Sequence, residues 1–76
     1  MLEWSMFDRL LGKHARKAGI VRGDILFGSG LDMASISFAE FIMDVEEETG
    51  ADIDLDSLDA SIKTAGQLFD RLSTMI

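Results

Sequence analysis

One histidine, one run of aspartates and one serine are the side chains of this sequence whose types and spacing suggest chemistry. His14 is the only histidine and lies among Lys13, Arg16 and Lys17. A general base usually has an orienting carboxylate and a nucleophile nearby, and the sequence alone brings neither to His14. We therefore expect His14 to lie on a helix surface or to be partly packed, and we predict that the protein is not an enzyme.

Four aspartates imitate the start of a calcium-binding EF-hand loop, in which carboxylates at positions 1, 3 and 5 surround the ion. They are Asp52, Asp54, Asp56 and Asp59. Ser57 stands where the sharp turn of such a loop needs glycine, and Lys63 stands where the ion needs a bidentate glutamate. We therefore predict no metal site.

Ser35 lies where a glycine-rich stretch meets the start of a predicted helix. A serine in such a place usually caps the helix, because its oxygen accepts a hydrogen bond from a first-turn amide. Ser37 and Glu40 have the spacing of a capping box, so Ser37 is predicted to cap the helix and to leave the Ser35 hydroxyl free. A free hydroxyl there lies near the positive end of the helix dipole, which favours an attached phosphodiester.

Amphipathic helices are predicted to position these residues, because apolar side chains recur at three- and four-residue intervals. The first helix is predicted over about residues 2–17. Its apolar stripe consists of Trp4, Phe7, Leu10, Leu11, Ala15 and Ala18. The second is predicted from Ser35 or Ser37 to Thr49 and ends at Gly50, a typical helix-terminating glycine. Its buried stripe consists of Phe38, Phe41, Ile42 and Val45.

The connection between these two helices is predicted to be a long ordered loop that contains several glycines. Its predicted apolar anchors are Ile20, Val21, Ile25, Leu26, Phe27 and Leu31. Loops of this length are usually functional. We therefore expect the loop to serve the residues that follow it.

A short helix near residues 58–62 and a last helix from Thr64 or Ala65 to Met75 are predicted to complete the fold. The last helix is predicted to bury Leu68, Phe69 and Leu72. The sequence has no proline and no alternating strand pattern. We predict an all-α fold, a four-helix bundle with three longer helices and one short helix, in a single domain over residues 1–76.

The composition limits the classes of function. A chain of 76 residues, 47% of them hydrophobic, is long enough for one compact core and short for an enzyme cleft of ordinary size. There is no cysteine, so disulfides and thiolate chemistry are excluded, and we predict a cytoplasmic location. No apolar run approaches the ~20 residues of a membrane span, so we predict no such span.

The charge is strongly acidic and unevenly placed. Fourteen acidic and seven basic residues give a net charge of −7, which argues against a nucleic-acid partner and for a basic protein surface. No lysine or arginine occurs from Asp24 through Ile62. Four acids of the second helix are predicted to line one exposed face: Glu40, Asp44, Glu47 and Glu48. No lysine is predicted to offset the repulsion among their like charges. This face is predicted either to dock basic partners or to be a plain solvated surface.

The residues around Ser35 and the second helix follow a known pattern. Phe27 and Leu31 precede Ser35 by eight and four residues, and an acidic triplet, Glu46 to Glu48, ends the helix. Ile36, Glu40, Met43, Ile53 and the last helix also match. In these features the chain resembles the acyl carrier protein family, the phosphopantetheine-attachment domains of fatty-acid, polyketide and peptide synthesis. The resemblance covers nearly the whole chain, weakly before Asp24 and well after Phe27.

The resemblance implies a helical bundle of the acyl-carrier type that acts as a monomer. It implies that Ser35 receives 4′-phosphopantetheine covalently from coenzyme A through a phosphopantetheinyl transferase. The arm would hold acyl or aminoacyl groups as thioesters, loaded by an activating ligase and presented to synthases or transferases with basic surfaces. A cavity that shelters the acyl chain would involve Phe41, Ile42, Val45 and Ile62, which are equally explained as core residues.

The chain also departs from the family pattern. Ala34 stands where the family has the aspartate of its Asp-Ser-Leu motif, and Asp32 stands where it usually has glycine. A literal Asp-Ser-Leu at residues 56–58 is rejected, because too few residues follow it to build the acidic helix and two more. These differences favour a specialised carrier over the housekeeping fatty-acid carrier. The alternative is an unmodified acidic helical adaptor, a degenerate carrier, that docks basic proteins.

Overall fold

Three α-helices joined by long connections form the described part of the protein. The computed structural model describes residues 2–54, 58 and 61–76. Helix α1 spans Trp4–Ala15, α2 spans Ser35–Thr49 and α3 spans Ala65–Ser73, and these ranges contain no β-strand. The predicted all-α class is confirmed. The predicted short helix over 58–62 includes residues 59 and 60, which lie outside the described residues, so the fourth helix stays a prediction. None of the three described helices is long and apolar enough to cross a bilayer.

The core lies between the three helices and is centred on an aromatic cluster. The ring of Phe7 in α1 lies 5.1 Å from that of Trp4, 5.6 Å from that of Phe41 in α2 and 5.3 Å from that of Phe69 in α3. The predicted stripes supply most of the buried side chains: Phe7, Leu10, Leu11, Phe41, Ile42, Val45, Leu68 and Leu72. No polar or charged residue of the described ranges is buried. One apolar cluster therefore holds the helices together.

Helix α1 ends two residues earlier than predicted. Arg16 adopts a left-handed conformation with φ of 58°, and the Lys17 amide turns back to donate to the Gly12 carbonyl at 3.1 Å. A side chain at position 12 would place its Cβ 2.5 Å from the Lys17 carbonyl oxygen, so glycine allows this reversal. Ala18 therefore lies beyond the helix and is exposed, and its predicted place in the apolar stripe is wrong.

Residues 16–34 form the connection between α1 and α2, and part of it is tied to the start of α3. Ile25 and Thr64 form an isolated antiparallel β-bridge. The amides of Ala65 and Gly66 donate to the carbonyls of Asp24 and Arg22 at 2.8 and 2.9 Å. These two amides belong to the first turn of α3, which has no acceptors of its own for them. The connection is thus fastened to α3 before it reaches α2.

Only some predicted anchors of this connection are buried. Ile20 and Leu26 are buried and Leu31 is partly buried, but Val21, Ile25 and Phe27 are exposed. In extended backbone, successive side chains point to opposite sides. The chain is extended opposite Thr64, so Leu26 enters the core while its two neighbours face outward. The prediction that all six residues anchor the connection is therefore wrong for Val21 and Ile25, whereas the half-exposed ring of Phe27 lies 5.6 Å from that of Phe38 in α2.

Helix α3 begins at the predicted place. Thr64 Oγ1 accepts a hydrogen bond from the Gln67 amide at 3.2 Å, and Gln67 Oε1 accepts one from the Thr64 amide at 3.2 Å. This is a complete capping box, which fixes the helix start locally. The helix ends at Ser73, two residues before the predicted Met75.

Candidate functional site

Ser35 is the first residue of α2 and is exposed to solvent. The chain approaches it through Asp32, which has a left-handed backbone with φ of 51°, and through Met33, which is buried. The Met33 amide donates to the Leu26 carbonyl at 3.0 Å, and the Leu31 amide donates to the Ile25 carbonyl at 2.6 Å. The connection thus holds the backbone on the approach to Ser35 while the serine side chain faces outward.

The N-terminus of α2 carries no side-chain cap. Its N-cap residue is Ala34, in extended backbone, and the first helical hydrogen bond runs from the Phe38 amide to the Ala34 carbonyl at 3.0 Å. The amides of Ser35, Ile36 and Ser37 have no acceptor within the described part of the chain. An uncapped first turn carries partial positive charge and free donors, which together favour a bound anion.

The predicted capping box of Ser37 and Glu40 is not formed. Helix α2 begins at Ser35, so Ser37 is the third helical residue and lies too far along the helix to cap it. Two residues before this start, Met33 is buried and its amide donates to the Leu26 carbonyl. The Ser35 hydroxyl has no hydrogen-bond partner in the described residues, but for a different reason from the one predicted. The predicted end of α2 is confirmed, since Gly50 terminates it with φ of 72°.

Two of the four acids predicted to line one exposed face of α2 contact basic side chains of α1. The Asp44 carboxylate lies 2.6 Å from His14 Nε2 and 3.4 Å from Lys13 Nζ. The Glu48 carboxylate lies 3.5 Å from an Arg9 guanidinium nitrogen. The prediction that no lysine offsets the repulsion among the four acids is therefore wrong, because Lys13 and Arg9 of α1, more than thirty residues earlier in the chain, lie beside Asp44 and Glu48. A surface groove of about 580 Å³ between the two helices is lined by Arg9, Leu10, Lys13, Asp44, Glu47 and Glu48.

His14 is more enclosed than a plain surface residue. Its side chain is 11% exposed, and its ring lies 6.5 Å from that of Phe41, nearly perpendicular to it. The hydrogen bond with His14 is the main cause that holds the pKa of Asp44 below its ordinary value, and Lys13 acts in the same direction. The pair therefore links α1 to α2. In the described residues no nucleophilic side chain is hydrogen-bonded to His14, so the geometry adds no support for a catalytic role.

Asp44→Asn is expected to lower the midpoint of thermal unfolding at about pH 6, and this difference is expected to shrink below about pH 4. A carboxyl whose pKa is lowered by folding stabilises the fold above its ordinary value of about 3.9, and loses that contribution as the pH falls through the lowered value. Melting curves by circular dichroism at a series of pH values measure the difference. Glu40→Gln is the control, because Glu40 is exposed and has no partner within the described ranges. A difference unchanged between about pH 6 and pH 3 would contradict the linkage.

The solvent-exposed side of α2 carries both apolar and acidic residues, a combination that the spacing of the charges alone does not show. We define the outer face of α2 as Ile36, Glu40, Met43 and Glu47, all of which are exposed. Their separations of four, three and four residues place them on one stripe of a helix. Charge spacing alone groups Glu40 and Glu47 with Asp44 and Glu48. Ile36 and Met43 interrupt the polar side of the helix. These two apolar residues are the feature of the sequence that distinguishes the outer face from the side that contacts α1.

The four candidate acyl-pocket residues are all core residues in the structure. Phe41, Ile42 and Val45 are at most 1% exposed and Ile62 is 6% exposed. The first three line none of the four surface cavities described, and Ile62 borders a shallow one of about 310 Å³ beside α3. A pocket for an acyl chain among them stays a prediction.

The acidic residues that the structure describes form no metal-binding cluster. Within residues 2–54, 58 and 61–76, no three histidine, aspartate or glutamate side chains are placed to hold a metal. Asp56, Ser57 and Asp59 lie outside the described residues, and with them half of the six positions compared with an EF-hand loop and two residues of the literal Asp-Ser-Leu.

Comparison with known proteins leaves the family open. No protein-family model, no curated protein and no solved structure matches the chain. The resemblance to acyl carrier proteins therefore stays a prediction from the residues themselves.

Proposed function

We propose that the protein is a specialised carrier that holds acyl or aminoacyl groups as thioesters on a 4′-phosphopantetheine arm attached to Ser35. The observation that carries the proposal is the position of this serine, exposed as the first residue of an uncapped helix. A tether point must be reachable by a transferase and yet be held on ordered backbone. Ser35 meets both needs, because its side chain is exposed while Met33 and Phe38 on either side are buried or partly buried.

The residues at this helix start fit a phosphodiester. The Ser35 oxygen would form the new bond to the phosphorus on the pantetheine side of coenzyme A. The bond from that phosphorus to the bridging oxygen would break, and the nucleotide would leave while the serine proton passes to a base of the transferase. The amides of Ile36 and Ser37, which lack acceptors in the described chain, would then face a singly charged phosphodiester at the positive end of α2.

The arm would supply a terminal thiol, which carries the cargo as a thioester. This chain's own residues would perform no bond chemistry on the cargo. They would present the arm and would be recognised by the phosphopantetheinyl transferase, by an activating ligase and by downstream synthases or transferases with basic surfaces. Such contacts are expected to be weak and dependent on salt, since exposed charges are screened beyond about 8 Å at physiological ionic strength.

A second candidate function is an unmodified acidic adaptor. The observation that favours it is Ala34, which occupies the N-cap of α2, next to Ser35, and presents only a methyl group there. In the family that the chain resembles, an aspartate at this place is thought to help the transferase. An adaptor of this kind would dock basic proteins through α2 without any attached group.

Incubation with a broad-specificity phosphopantetheinyl transferase, Mg²⁺ and coenzyme A is expected to raise the intact mass by one phosphopantetheine. Ser35→Ala is expected to abolish the increase, because the acceptor oxygen is gone. Ser37→Ala and Ser57→Ala are the matched controls and are expected to be modified like the wild type. Intact-mass spectrometry, followed by peptide mapping, measures the outcome.

Two results would change the assignment. Labelling that persists in Ser35→Ala would overturn Ser35 as the tether. An unmodified wild type together with a modified Ala34→Asp variant would favour the degenerate carrier, because restoring the carboxylate would then be sufficient for recognition.

A further inference from the structure

A surface hollow lies where the chain reverses direction after α1. Its volume is about 460 Å³, and its lining residues are Asp8, Arg9, Gly12, Arg16, Lys17, Ala18 and Gly19. Three of these residues are cations, although the whole chain has only seven basic residues against fourteen acidic ones. Positive side chains are therefore concentrated at one concave place on an acidic protein.

Small residues leave the main chain of this hollow accessible. Gly12 has no side chain, and a Cβ there would meet the Lys17 carbonyl, so the reversed segment lies directly against the helix. Ala18 and Gly19 are exposed, and their amides donate no hydrogen bond to any described residue. The residues that line the hollow thus offer two unpaired main-chain donors in addition to the three cations.

The three cations keep donors that the fold does not use. The Arg16 side chain forms no ion pair with any described residue. Lys17 Nζ donates to an Asp24 carboxylate oxygen at 2.7 Å, and one Arg9 guanidinium nitrogen lies 3.5 Å from a Glu48 carboxylate oxygen. An ammonium group has three N–H donors and a guanidinium group has five, so Lys17 and Arg9 retain donors beyond these contacts.

The acceptors at the hollow are partly occupied by the fold itself. Among the described residues, Asp8 is the only acid in its lining, and Asp8 Oδ1 accepts a hydrogen bond from the Ile20 amide at 2.7 Å. The Gly12 carbonyl at this end of α1 accepts the amides of both Arg16 and Lys17. Three cations therefore face one carboxylate that is already hydrogen-bonded.

We propose that this hollow binds the phosphate monoester group of a small ligand. Such a group carries about two negative charges and has three acceptor oxygens, which match convergent guanidinium, ammonium and main-chain donors. A nucleic acid or an anionic membrane presents many phosphates over a wide surface, and a protein of net charge −7 is repelled by such a surface. The proposal goes beyond the proposed function and does not depend on Ser35.

Titration of the full chain with adenosine 5′-monophosphate, followed by ¹H–¹⁵N NMR at low ionic strength, tests the site. Saturable shifts are expected at the amides of Ala18 and Gly19 and at the Arg16 Nε–H, with a Kd of about 1 mM. Inorganic phosphate is expected to compete for the same signals. Adenosine, and sodium chloride at equal ionic strength, are expected to give no saturable shift there.

Arg16→Gln is expected to weaken binding of the nucleotide about tenfold, because it removes the cation that has no ion-pair partner in the described chain. Lys63→Gln is the matched control, since it removes the same charge from an exposed residue outside the hollow. It is expected to change the Kd less than about twofold.

Asp8→Asn is expected to tighten binding about threefold, because the amide oxygen can keep the hydrogen bond from Ile20 while the negative charge is lost. Glu40→Gln makes the same change of net charge far from the hollow in sequence and is expected to change the Kd less than about 1.5-fold.

Four results would each overturn the proposal. They are no saturable shift with the nucleotide, the same shifts with adenosine, equal weakening by Arg16→Gln and Lys63→Gln, and binding only to vesicles of phosphatidylcholine and phosphatidic acid. The last result would assign the hollow to a lipid surface instead of a small ligand.

Discussion

Phe7→Ala is expected to remove a large part of the stability of this domain. Phe7 is fully buried, and its ring contacts those of Trp4, Phe41 and Phe69, so the substitution empties the point where all three helices meet. Removing a buried phenylalanine side chain costs about 3–5 kcal/mol. A domain of 76 residues has a free energy of unfolding of about 4–11 kcal/mol, so the variant is expected to be marginal.

Urea unfolding followed by circular dichroism measures this effect. Met43→Ala is the matched control, because it shortens a large apolar side chain that is 59% exposed, and its cost is expected to be below about 0.5 kcal/mol. A loss of less than about 1 kcal/mol for Phe7→Ala would contradict the central packing of the ring.

Gly30→Ala is expected to destabilise the connection between α1 and α2 by about 1–3 kcal/mol. A Cβ at position 30 would lie 2.7 Å from the Ile25 Cβ and would overlap the Ile25 carbonyl. That carbonyl accepts the Leu31 amide at 2.6 Å, so the turn cannot open without losing a hydrogen bond. The backbone must therefore shift.

Gly23→Ala is the control for the same connection. A Cβ at position 23 would meet no atom within 4 Å, and its backbone does not have a positive φ. This variant is expected to be neutral or slightly more stable, because alanine restricts the unfolded chain. Thermal melting distinguishes the two variants, and equal midpoints for both would show that the turn at Gly30 is not closely packed.

The turn at Gly30 also connects stability to the candidate site. The hydrogen bond from the Leu31 amide to the Ile25 carbonyl closes the turn that precedes Asp32 and Met33, and Ser35 lies two residues after Met33. If Ser35 is modified as proposed, Gly30→Ala is expected to slow modification without abolishing it. The hydroxyl would still be present, but on less ordered backbone.

Local features of the sequence determined the three helices and two of their ends. Apolar spacing placed the core stripes of α1, α2 and α3, because a helix must bury one side to be stable in water. Helix α2 ends at Gly50 as predicted, because glycine adopts the left-handed conformation of a helix end without contacts from other segments of the chain. The start of α3 at Ala65 is equally local, because Thr64 and Gln67 form its capping box.

Contacts between distant segments decided the rest. The sequence favoured Ser37 as the cap of α2, but Met33 is buried in the core between the helices and α2 begins two residues later, at Ser35. The sequence also suggested that four acids of α2 line one exposed face with no basic residue beside them. Packing of α1 against α2 divides these four acids, because His14 and Lys13 contact Asp44, and Arg9 contacts Glu48, across thirty or more residues of chain. Periodicity along one helix describes its sides, but only the packing shows which side meets a neighbour and which side stays exposed to solvent.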